Sequence, residues 1–370
     1  MDILIGMHIV HFISSLKMGG AELVLYELVE RLQQQGITQS VIFIHDGPYT
    51  EKLQQLGIKT FHLQGKYKLF DPCFWIRLHR ILKQEKPRCV NASLWAANFA
   101  GRIVCKLLGI PIICALHNNH DQNGTIRNSL DALTLWLADD IIAVSDGIVR
   151  TMQTFTFLPA RRTKVIKNGI DVNAVQRKAI EQKKTRQAFG FTQEQFVFGS
   201  VGRFVELKNY LFLLTVFAQL QQKYPHVRLV LVGSGTEESN LRKQALDLNI
   251  QDSVHFVVGQ QAYGYYHLFD CFIQSSIKEG ISMALLEAMS NGLPCIVTNH
   301  EPMHDVIEDQ KNGLLVPANN QELLLEAMIK MMTNSQLRSG LAKESVKSMQ
   351  QKFSIDGMVD HYTGIFTRYF

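Results

Sequence analysis

The strongest chemical signal in the sequence is a pair of glutamates, Glu279 and Glu287, on either side of a predicted turn into a helix. Ser282 is a favourable N-cap, so Glu279 falls in the loop and Glu287 in the helix. Backbone N–H groups at the start of a helix bind phosphate, because the helix dipole favours negative charge there. The residues of this turn are Gly280, Ile281, Ser282 and Met283. Carboxylates accept hydrogen bonds from hydroxyl groups, so the two glutamates can hold the two ends of a nucleotide-sugar.

Two cations in the same half of the chain suit the phosphates of such a ligand. Arg203 and Lys208 follow a predicted strand at residues 196–201. They therefore leave the carboxyl end of that strand, which is where open α/β sheets bind ligands. A guanidinium and an ammonium on one turn match the charge of a diphosphate. Without the glutamates, two exposed loop charges would be the simpler interpretation.

Glycines follow three of the predicted strands. Gly202 and Gly235 lie in the turns after the first two strands of the C-terminal half, and Gly19 and Gly20 separate the first strand from the first helix. Glycine lets backbone N–H groups approach an anion closely at such a turn. None of the turns has G-x-G-x-x-G or P-loop spacing, so a dinucleotide or NTPase site is unsupported. A tight turn that needs glycine is the alternative explanation for each.

These residues belong to a repeating pattern of strands and helices. Short β-branched apolar runs alternate with amphipathic stretches, such as a helix predicted at residues 21–35, which is typical of parallel sheets covered by helices. The first half has predicted strands at residues 8–13, 39–44, 60–62, 89–91, 112–116, 141–144 and 164–166. The second half has them at residues 196–201, 228–232, 254–258, 271–274, 295–298 and 314–316. The pattern breaks at a polar stretch, residues 176–187, which we interpret as an interdomain connector.

Length and composition agree with two globular domains. The chain has 370 residues, of which 46% are hydrophobic and 19% charged, so it exceeds one average domain and is not wholly disordered. Its six cysteines lack C-x-x-C or metal-ligand spacing, which favours a reducing compartment over a disulfide framework or a zinc site. No apolar run is long enough to span a membrane, and the first residues lack the basic region of a signal peptide.

Positive charge is concentrated in the first half. Residues 1–167 carry 19 Lys and Arg against 13 Asp and Glu, while the remainder is nearly neutral. Basic residues cluster around Phe74 and Trp75, and the cluster consists of Lys66, Lys68, Arg77, Arg80, Lys83, Lys86 and Arg88. This pattern fits a phosphate-bearing acceptor at an anionic membrane surface. The alternative is a Rossmann-type helix at residues 74–85 with a solvated face.

Five segments appear in the order in which they occur in the retaining glycosyltransferases of family GT4, which have the GT-B fold. The segments span residues 19–22, 168–171, 202–209, 232–235 and 279–289. The glutamate pair and the Arg/Lys pair are specific, whereas the glycine turns are not. The chain therefore resembles this family over nearly its whole length. It departs from the pattern at Ile281, where the family often has an aromatic residue.

The resemblance implies an α/β fold of GT-B type, with two Rossmann-like domains facing across a cleft and a C-terminal helix crossing back to the first domain. We predict an N-terminal acceptor-binding domain at residues 1–175 and a nucleotide-sugar-binding domain at residues 190–352. Residues 353–370 would form the crossover segment that packs on the first domain.

The resemblance also implies the site and its chemistry. Residues implied to take part in catalysis are His117, Arg203, Lys208 and Glu279. Residues implied to bind the donor are Gly19, Gly20, Gly202, Arg203, Lys208, Gly235, Glu279, Gly280, Ile281, Ser282, Met283 and Glu287. Glu279 would contact the donor sugar and Glu287 the ribose. The leaving diphosphate would act as base toward the acceptor hydroxyl, so transfer would proceed with retention of configuration.

The implied enzyme is a hexosyltransferase that needs no metal or other cofactor, which agrees with the absence of any Asp-x-Asp sequence. We expect a UDP-sugar donor and a glycan or lipid-linked acceptor, in cell-surface polysaccharide or glycolipid assembly. The enzyme would be cytoplasmic, in peripheral contact with an anionic membrane at its inner face, and nucleic acid is not an expected partner.

Two alternative functions remain open from the residues. One is a non-catalytic subunit that binds a nucleotide-sugar. The other is a glycoside hydrolase using Glu279 and Glu287, whose carboxylates would have to lie about 5–9.5 Å apart. Eight residues of continuous helix would separate the two carboxylates by about 12 Å, which is too far for a hydrolase pair. Glu279 lies in the loop, however, so its distance from Glu287 need not follow the helical spacing. The hydrolase also gives the Arg/Lys pair no purpose.

Overall fold

The structure, a computed structural model, describes residues 6–63, 69, 71–117, 124–155 and 162–369. The chain divides into two units of similar size. Residues 1–169 and 355–370 form the first unit, and residues 170–354 form the second. Each unit contains one parallel sheet with helices between consecutive strands, as the alternating sequence pattern predicts.

The first unit contains a seven-stranded sheet in the order β3-β2-β1-β4-β5-β6-β7. Its strands are β1 (His8–Ser15), β2 (Thr38–His45), β3 (Lys59–His62), β4 (Cys89–Ser93), β5 (Ile112–Leu116), β6 (Asp140–Ala143) and β7 (Thr163–Val165). The helices between them are α1 (Gly20–Gln34), α2 (Pro48–Gln55), α3 (Pro72–Glu85), α4 (Trp95–Leu108), α5 (Gly124–Thr134) and α6 (Asp146–Phe155). In this order the chain reverses direction across the sheet at β1 and β4, which creates a crevice at their carboxyl ends.

The second unit repeats this topology with six strands in the order β10-β9-β8-β11-β12-β13. Its strands are β8 (Phe196–Val201), β9 (Val227–Val232), β10 (Val254–Val257), β11 (Cys271–Gln274), β12 (Cys295–Asn299) and β13 (Leu314–Pro317). Its helices are α7 (Val172–Glu181), α8 (Tyr210–Lys223), α9 (Glu238–Asp247), α10 (Met283–Ser290), α11 (Gln321–Thr333) and α12 (Ser335–Lys352). The equivalent switch point lies between β8 and β11, so the loops that follow these two strands line one crevice.

The predicted strands are all present, each within two residues of its expected ends. The central strands are rich in apolar residues because both faces of each sheet are covered, whereas the edge strands β3 and β7 are partly exposed. In β1, for example, Ile9, Val10, Phe12 and Ile13 are all fully buried. Burial on both faces is the usual environment of a strand in a parallel sheet.

The last helix, α13 (Ile355–Phe366), belongs to the first unit. Its Asp356 pairs with Arg31 of α1 at 3.4 Å, and Tyr362 and Phe366 are buried. Just beyond it, the guanidinium of Arg368 donates to Asp140 Oδ2 at 2.6 Å. The predicted return of the C-terminal segment to the first domain is therefore confirmed, apart from Phe370, which lies outside the described residues.

The predicted interdomain connector, residues 176–187, is wrong. Its first half belongs to α7, which is capped by Asp171 and lies wholly in the second unit. Val172, Val175 and Ala179 are buried at helical spacing, and this narrow apolar stripe anchors an otherwise polar helix. The chain therefore passes from the first unit to the second at residues 169–170, ahead of the predicted boundaries at 175 and 190, and returns at residues 354–355.

The basic cluster of the first half lies largely on α3. Phe74, Leu78 and Leu82 are buried, while Arg77 and Arg80 are exposed. Lys83, Lys86 and Arg88 are exposed as well, and Lys66 and Lys68 lie outside the described residues. Arg77, Arg80 and Lys83 thus form the outer face of a Rossmann-type helix, and contact of the cluster with a membrane stays a prediction. In the described part of the chain, no helix has the length and apolar character needed to cross a membrane.

Candidate active site

Two glycine-bearing loops meet at the carboxyl edge of the second sheet. A Cβ atom at Gly233 would lie 1.9 Å from the backbone oxygen of Gly202, and one at Gly235 would lie 2.2 Å from that of Phe204. The backbone N–H of Phe204 donates to the oxygen of Ser234 at 2.8 Å. These glycines are therefore needed for the loops after β8 and β9 to pack together, and this contact fixes the loop that carries Arg203. That Gly202 and Gly235 bind donor stays a prediction.

Lys208 and Glu279, which are 71 residues apart in sequence, form an ion pair. Both side chains are more than three-quarters buried, and the Ser276 hydroxyl donates to the second carboxylate oxygen of Glu279 at 2.9 Å. The Ser275 hydroxyl donates to the backbone oxygen of Lys208 at 2.8 Å, which ties the loop after β11 to the loop after β8. The fold therefore brings a predicted diphosphate ligand and a predicted sugar ligand together without any substrate.

Arg203 differs from Lys208 in its surroundings. Its side chain is exposed and makes no hydrogen bond or ion pair with the described residues. A guanidinium in this state keeps all five N–H donors available for a ligand. Of the two cations of this turn, Lys208 is therefore held in place by a carboxylate, whereas Arg203 can reorient toward an anion.

The predicted helix start after Glu279 is confirmed. Ser282 caps α10 by accepting a hydrogen bond from the Leu285 N–H at 3.4 Å. The side chains of Ile281 and Met283 are buried and anchor the turn. The first N–H groups of a helix have no partner within the helix, so this end of α10 presents donors beside the Lys208–Glu279 pair.

Glu287 lies inside the second unit, on the second turn of α10. The hydroxyl of Tyr266 donates to its Oε2 at 2.6 Å, and the residue is 8% exposed. Burial raises the pKa of Glu287 to about 7, against the opposing effects of Tyr266, Lys178 and Tyr263. The carboxyl group is therefore held by a neutral donor, and its pKa lies near neutral pH.

Tyr266 is a site residue that the sequence reasoning missed. It lies in a 3₁₀ turn, Tyr263–Leu268, between β10 and β11, and it is almost completely buried. The turn packs against α7, where Lys178 Nζ lies 5.2 Å from the centre of the Tyr263 ring. Three tyrosines within four residues were the available signal, because a buried tyrosine hydroxyl needs a polar partner.

The remaining predicted residues belong to the first unit and are described separately. Gly19 precedes α1, and a Cβ there would lie 2.3 Å from Glu22 Oε2; Gly20 is the first residue of that helix. His117 directly follows β5 and is buried, and its Nδ1 has no hydrogen-bond partner among the described residues. Burial lowers the pKa of His117 to about 4, so its ring is neutral at pH 7.

Two doubly wound units, one of which carries cations and carboxylates at its switch point, are the architecture of a GT-B-type glycosyltransferase. Two family descriptions match the chain: "Glycosyltransferase Family 4" over residues 18–174 and "Glycosyl transferases group 1" over residues 181–348. The chain therefore belongs to the GT4-type glycosyltransferases, and it is an enzyme. This assignment favours a transferase over the glycoside hydrolase and the non-catalytic subunit.

Curated relatives and solved structures agree with the family. The chain is 23% identical over 368 residues to "UDP-Gal:alpha-D-GlcNAc-diphosphoundecaprenol alpha-1,3-galactosyltransferase" of Escherichia coli, covering 93% of this chain and 92% of the relative. It is 26% identical to "Lipopolysaccharide core biosynthesis glycosyltransferase LpsE" of Rhizobium meliloti, covering 94% and 95%. The crystal structure of Anabaena Alr3699/HepE in complex with UDP and glucose matches with a TM-score of 0.86 and 22% identity, covering 98% of this chain and 100% of that one. The structural match confirms the predicted GT-B fold.

Proposed function

We propose that this glycosyltransferase moves a sugar from a UDP-sugar to a glycan or lipid-linked acceptor, with retention of configuration and without a metal. The observation that carries the proposal is the Lys208–Glu279 pair beside the capped start of α10. It places a cation for a departing diphosphate next to a carboxylate that can accept hydrogen bonds from a sugar. The E. coli relative is named for a UDP-sugar donor and a diphosphoundecaprenol-linked acceptor, and the HepE crystals contain UDP and glucose, which supports this substrate class.

Each site residue is proposed to have the task that the family resemblance implies for it. Arg203 and Lys208 bind the diphosphate, together with N–H groups at the start of α10. Glu279 binds the donor sugar, and Glu287 binds the ribose hydroxyls. In the first unit, Gly19 and Gly20 face the diphosphate. His117 acts near the reacting carbon, where a neutral imidazole can exchange hydrogen bonds with hydroxyl groups.

In the proposed reaction, the bond between the anomeric carbon and the diphosphate oxygen breaks, and the acceptor hydroxyl forms a new bond to that carbon on the same face. The hydroxyl proton passes to an oxygen of the departing diphosphate. The chain's main task is then to stabilise charge on the leaving group, which Arg203, Lys208 and the helix dipole supply. Among the described residues there is no group of three or more His, Cys, Asp or Glu side chains that could hold a metal ion.

The proposal is tested by screening nucleotide-sugars for binding and then for transfer in the presence of excess EDTA. A donor at 100 times its Kd should raise the free energy of unfolding by about 2.7 kcal/mol, which thermal unfolding detects. With that donor and an undecaprenyl-diphosphate-linked glycan, NMR of the product should show the anomeric configuration of the donor. A product with inverted anomeric configuration would contradict the proposed retention. Activity that EDTA abolishes and Mn²⁺ restores would contradict the proposed independence of metal.

The Glu287–Tyr266 pair predicts a pH dependence of UDP binding. The ionised carboxylate is the better acceptor for two ribose hydroxyls, so UDP affinity should increase as the pH rises through the pKa of Glu287, about 7. Tyr266→Phe removes a donor that stabilises the ionised form, so the midpoint should move to higher pH. Calorimetry with UDP from below to above neutral pH measures both curves.

The matched control for this experiment is Tyr265→Phe, which removes a neighbouring hydroxyl from the same turn. Titration of the UDP phosphate affects every variant equally and cancels in the comparison. A Tyr266→Phe curve that is lower at all pH values but has an unchanged midpoint would show that the hydroxyl supports folding alone. Equal curves for all three proteins would remove Tyr266 from the site.

The exposed basic face of α3 supports peripheral contact with an anionic membrane, where a lipid-linked acceptor would be found. Sedimentation with phosphatidylglycerol vesicles measures this contact, which should disappear when Arg77, Arg80 and Lys83 are replaced together by glutamate.

A further inference from the structure

His300 is a largely buried histidine whose two ring nitrogens have no hydrogen-bond partner among the described residues. It follows β12 directly, at the carboxyl edge of the second sheet. Burial lowers the pKa of His300 to about 4, so at neutral pH the ring carries one N–H donor and one acceptor nitrogen. Buried polar groups in native proteins are normally paired, so two unpaired nitrogens on one ring need an explanation.

A second buried histidine in this chain shows what a structural role looks like. His11, in the middle of β1, has both nitrogens paired: Nε2 with Gln39 Oε1 at 3.0 Å and Nδ1 with the Asn91 side chain at 3.1 Å. Its ring is held on two sides by neighbouring strands. His300 as a whole is less buried than His11, but both of its ring nitrogens are buried and have no partner among the described residues, which indicates that their partner is a ligand.

The position of His300 is tied to the Lys208–Glu279 pair. Both of these charges act on the pKa of His300, Glu279 raising it and Lys208 lowering it. β12 pairs with β11, and the Thr298 hydroxyl donates to the backbone oxygen of Ser276. The Ser276 hydroxyl in turn donates to Glu279 Oε2. The end of β12 is therefore hydrogen-bonded to the loop that holds Glu279, two residues before His300.

The geometry points to His300 as a binding residue for hydroxyl groups of the donor sugar. This inference rests on the proposed function, in which Glu279 binds the sugar. A sugar hydroxyl both donates and accepts, as a neutral imidazole does, so one ring can exchange hydrogen bonds with two hydroxyls. Phosphate oxygens at neutral pH accept hydrogen bonds only, and the acceptor nitrogen of the ring would face them unfavourably. The cations Arg203 and Lys208 serve the diphosphate instead.

The test compares His300→Leu with the wild type by calorimetry, using UDP and whichever of UDP-glucose, UDP-galactose and UDP-N-acetylglucosamine the wild type binds. The variant should bind UDP as tightly as the wild type and bind the nucleotide-sugar about 3- to 10-fold more weakly, the effect of losing one or two neutral hydrogen bonds. The Tm without ligand should not decrease, because the lost nitrogens have no partner among the described residues of the free protein. His304→Leu, at an exposed histidine four residues away, is the matched control and should change neither affinity.

A second variant separates polarity from volume. His300→Asn keeps one donor and one acceptor in a smaller side chain, so it should recover part of the affinity for the nucleotide-sugar that leucine loses. Equal nucleotide-sugar affinity of wild type and His300→Leu overturns the inference while leaving the proposed function intact. So does an equal loss of affinity for UDP and for the nucleotide-sugar, which would place His300 at the nucleotide. Failure of the wild type to bind any of these nucleotides overturns the proposed UDP-sugar donor, and with it this inference.

Discussion

Lys208→Ala should lower turnover by about 10²–10³-fold, the usual effect of removing one group that stabilises charge on a departing oxygen. Lys208 is a largely buried ammonium whose position is fixed by Glu279 and by the hydrogen bond between its backbone and Ser275. Because this cation is already in position before the reaction starts, no free energy of reorganisation is needed when charge develops on the diphosphate. Steady-state kinetics at saturating and at limiting donor measure the loss in kcat and in kcat/KM.

The control for this variant is Lys243→Ala, because Lys243 is an exposed cation on α9, away from the loops after β8 and β11. It changes the net charge equally and should leave turnover unaltered. Since Lys208→Ala also leaves Glu279 without its partner, Lys208→Ala/Glu279→Gln is needed to show that an unpaired carboxylate is not the cause. Recovery of turnover in the double variant would contradict the direct role of Lys208.

Arg203 provides a graded comparison within the same loop. Its side chain is exposed and has no hydrogen bond or ion pair with the described residues, so Arg203→Ala should weaken donor binding with little change in stability. Arg203→Lys should restore part of the affinity, since the charge returns but the planar, bidentate fork does not. The two sets of variants therefore distinguish Lys208, which the protein holds in position, from Arg203, which the ligand must order.

The sequence could predict the sheets and the edge at which the site lies, because both depend on local pattern. Strands that are buried on both faces are rich in apolar residues, which the sequence shows directly. The carboxyl ends of β8 and β11 meet because these strands are neighbours at the switch point. The start of α10 was predictable from Ser282, whose capping preference is a local property.

What the sequence could not predict depends on contacts between distant segments. The Lys208–Glu279 pair joins residues 71 positions apart, and the Tyr266–Glu287 pair depends on how one 3₁₀ turn packs against α10. The polar helix α7 was mistaken for a connector because three buried positions in ten residues give a weak amphipathic signal. His300 had no motif at all, and its unpaired nitrogens are visible only in the folded chain.

The substitutions Glu287→Ala and Glu279→Ala should have different effects on nucleotide binding and on sugar transfer. Glu287→Ala should weaken both UDP and the UDP-sugar, since the ribose is common to the two ligands. Glu279→Ala should lower sugar transfer without weakening UDP, because its carboxylate contacts the sugar and its loss frees Lys208 for the diphosphate. A hydrogen bond to a charged group contributes about 1.5–3 kcal/mol, so each loss should be about 10- to 150-fold.

Calorimetry with UDP and UDP-sugar on both variants, together with transfer assays, gives four affinities and two rates to compare with this pattern. Glu279→Gln is the conservative control: it keeps the side-chain shape and an acceptor oxygen but removes the charge that holds Lys208, so its UDP affinity should match that of Glu279→Ala. A loss of UDP affinity in Glu279→Ala equal to that in Glu287→Ala would show that the two carboxylates do not divide sugar from ribose. If neither variant changed any nucleotide affinity, while both abolished hydrolysis of a simple glycoside, the two carboxylates would act as a hydrolase pair and the proposed transfer would be wrong.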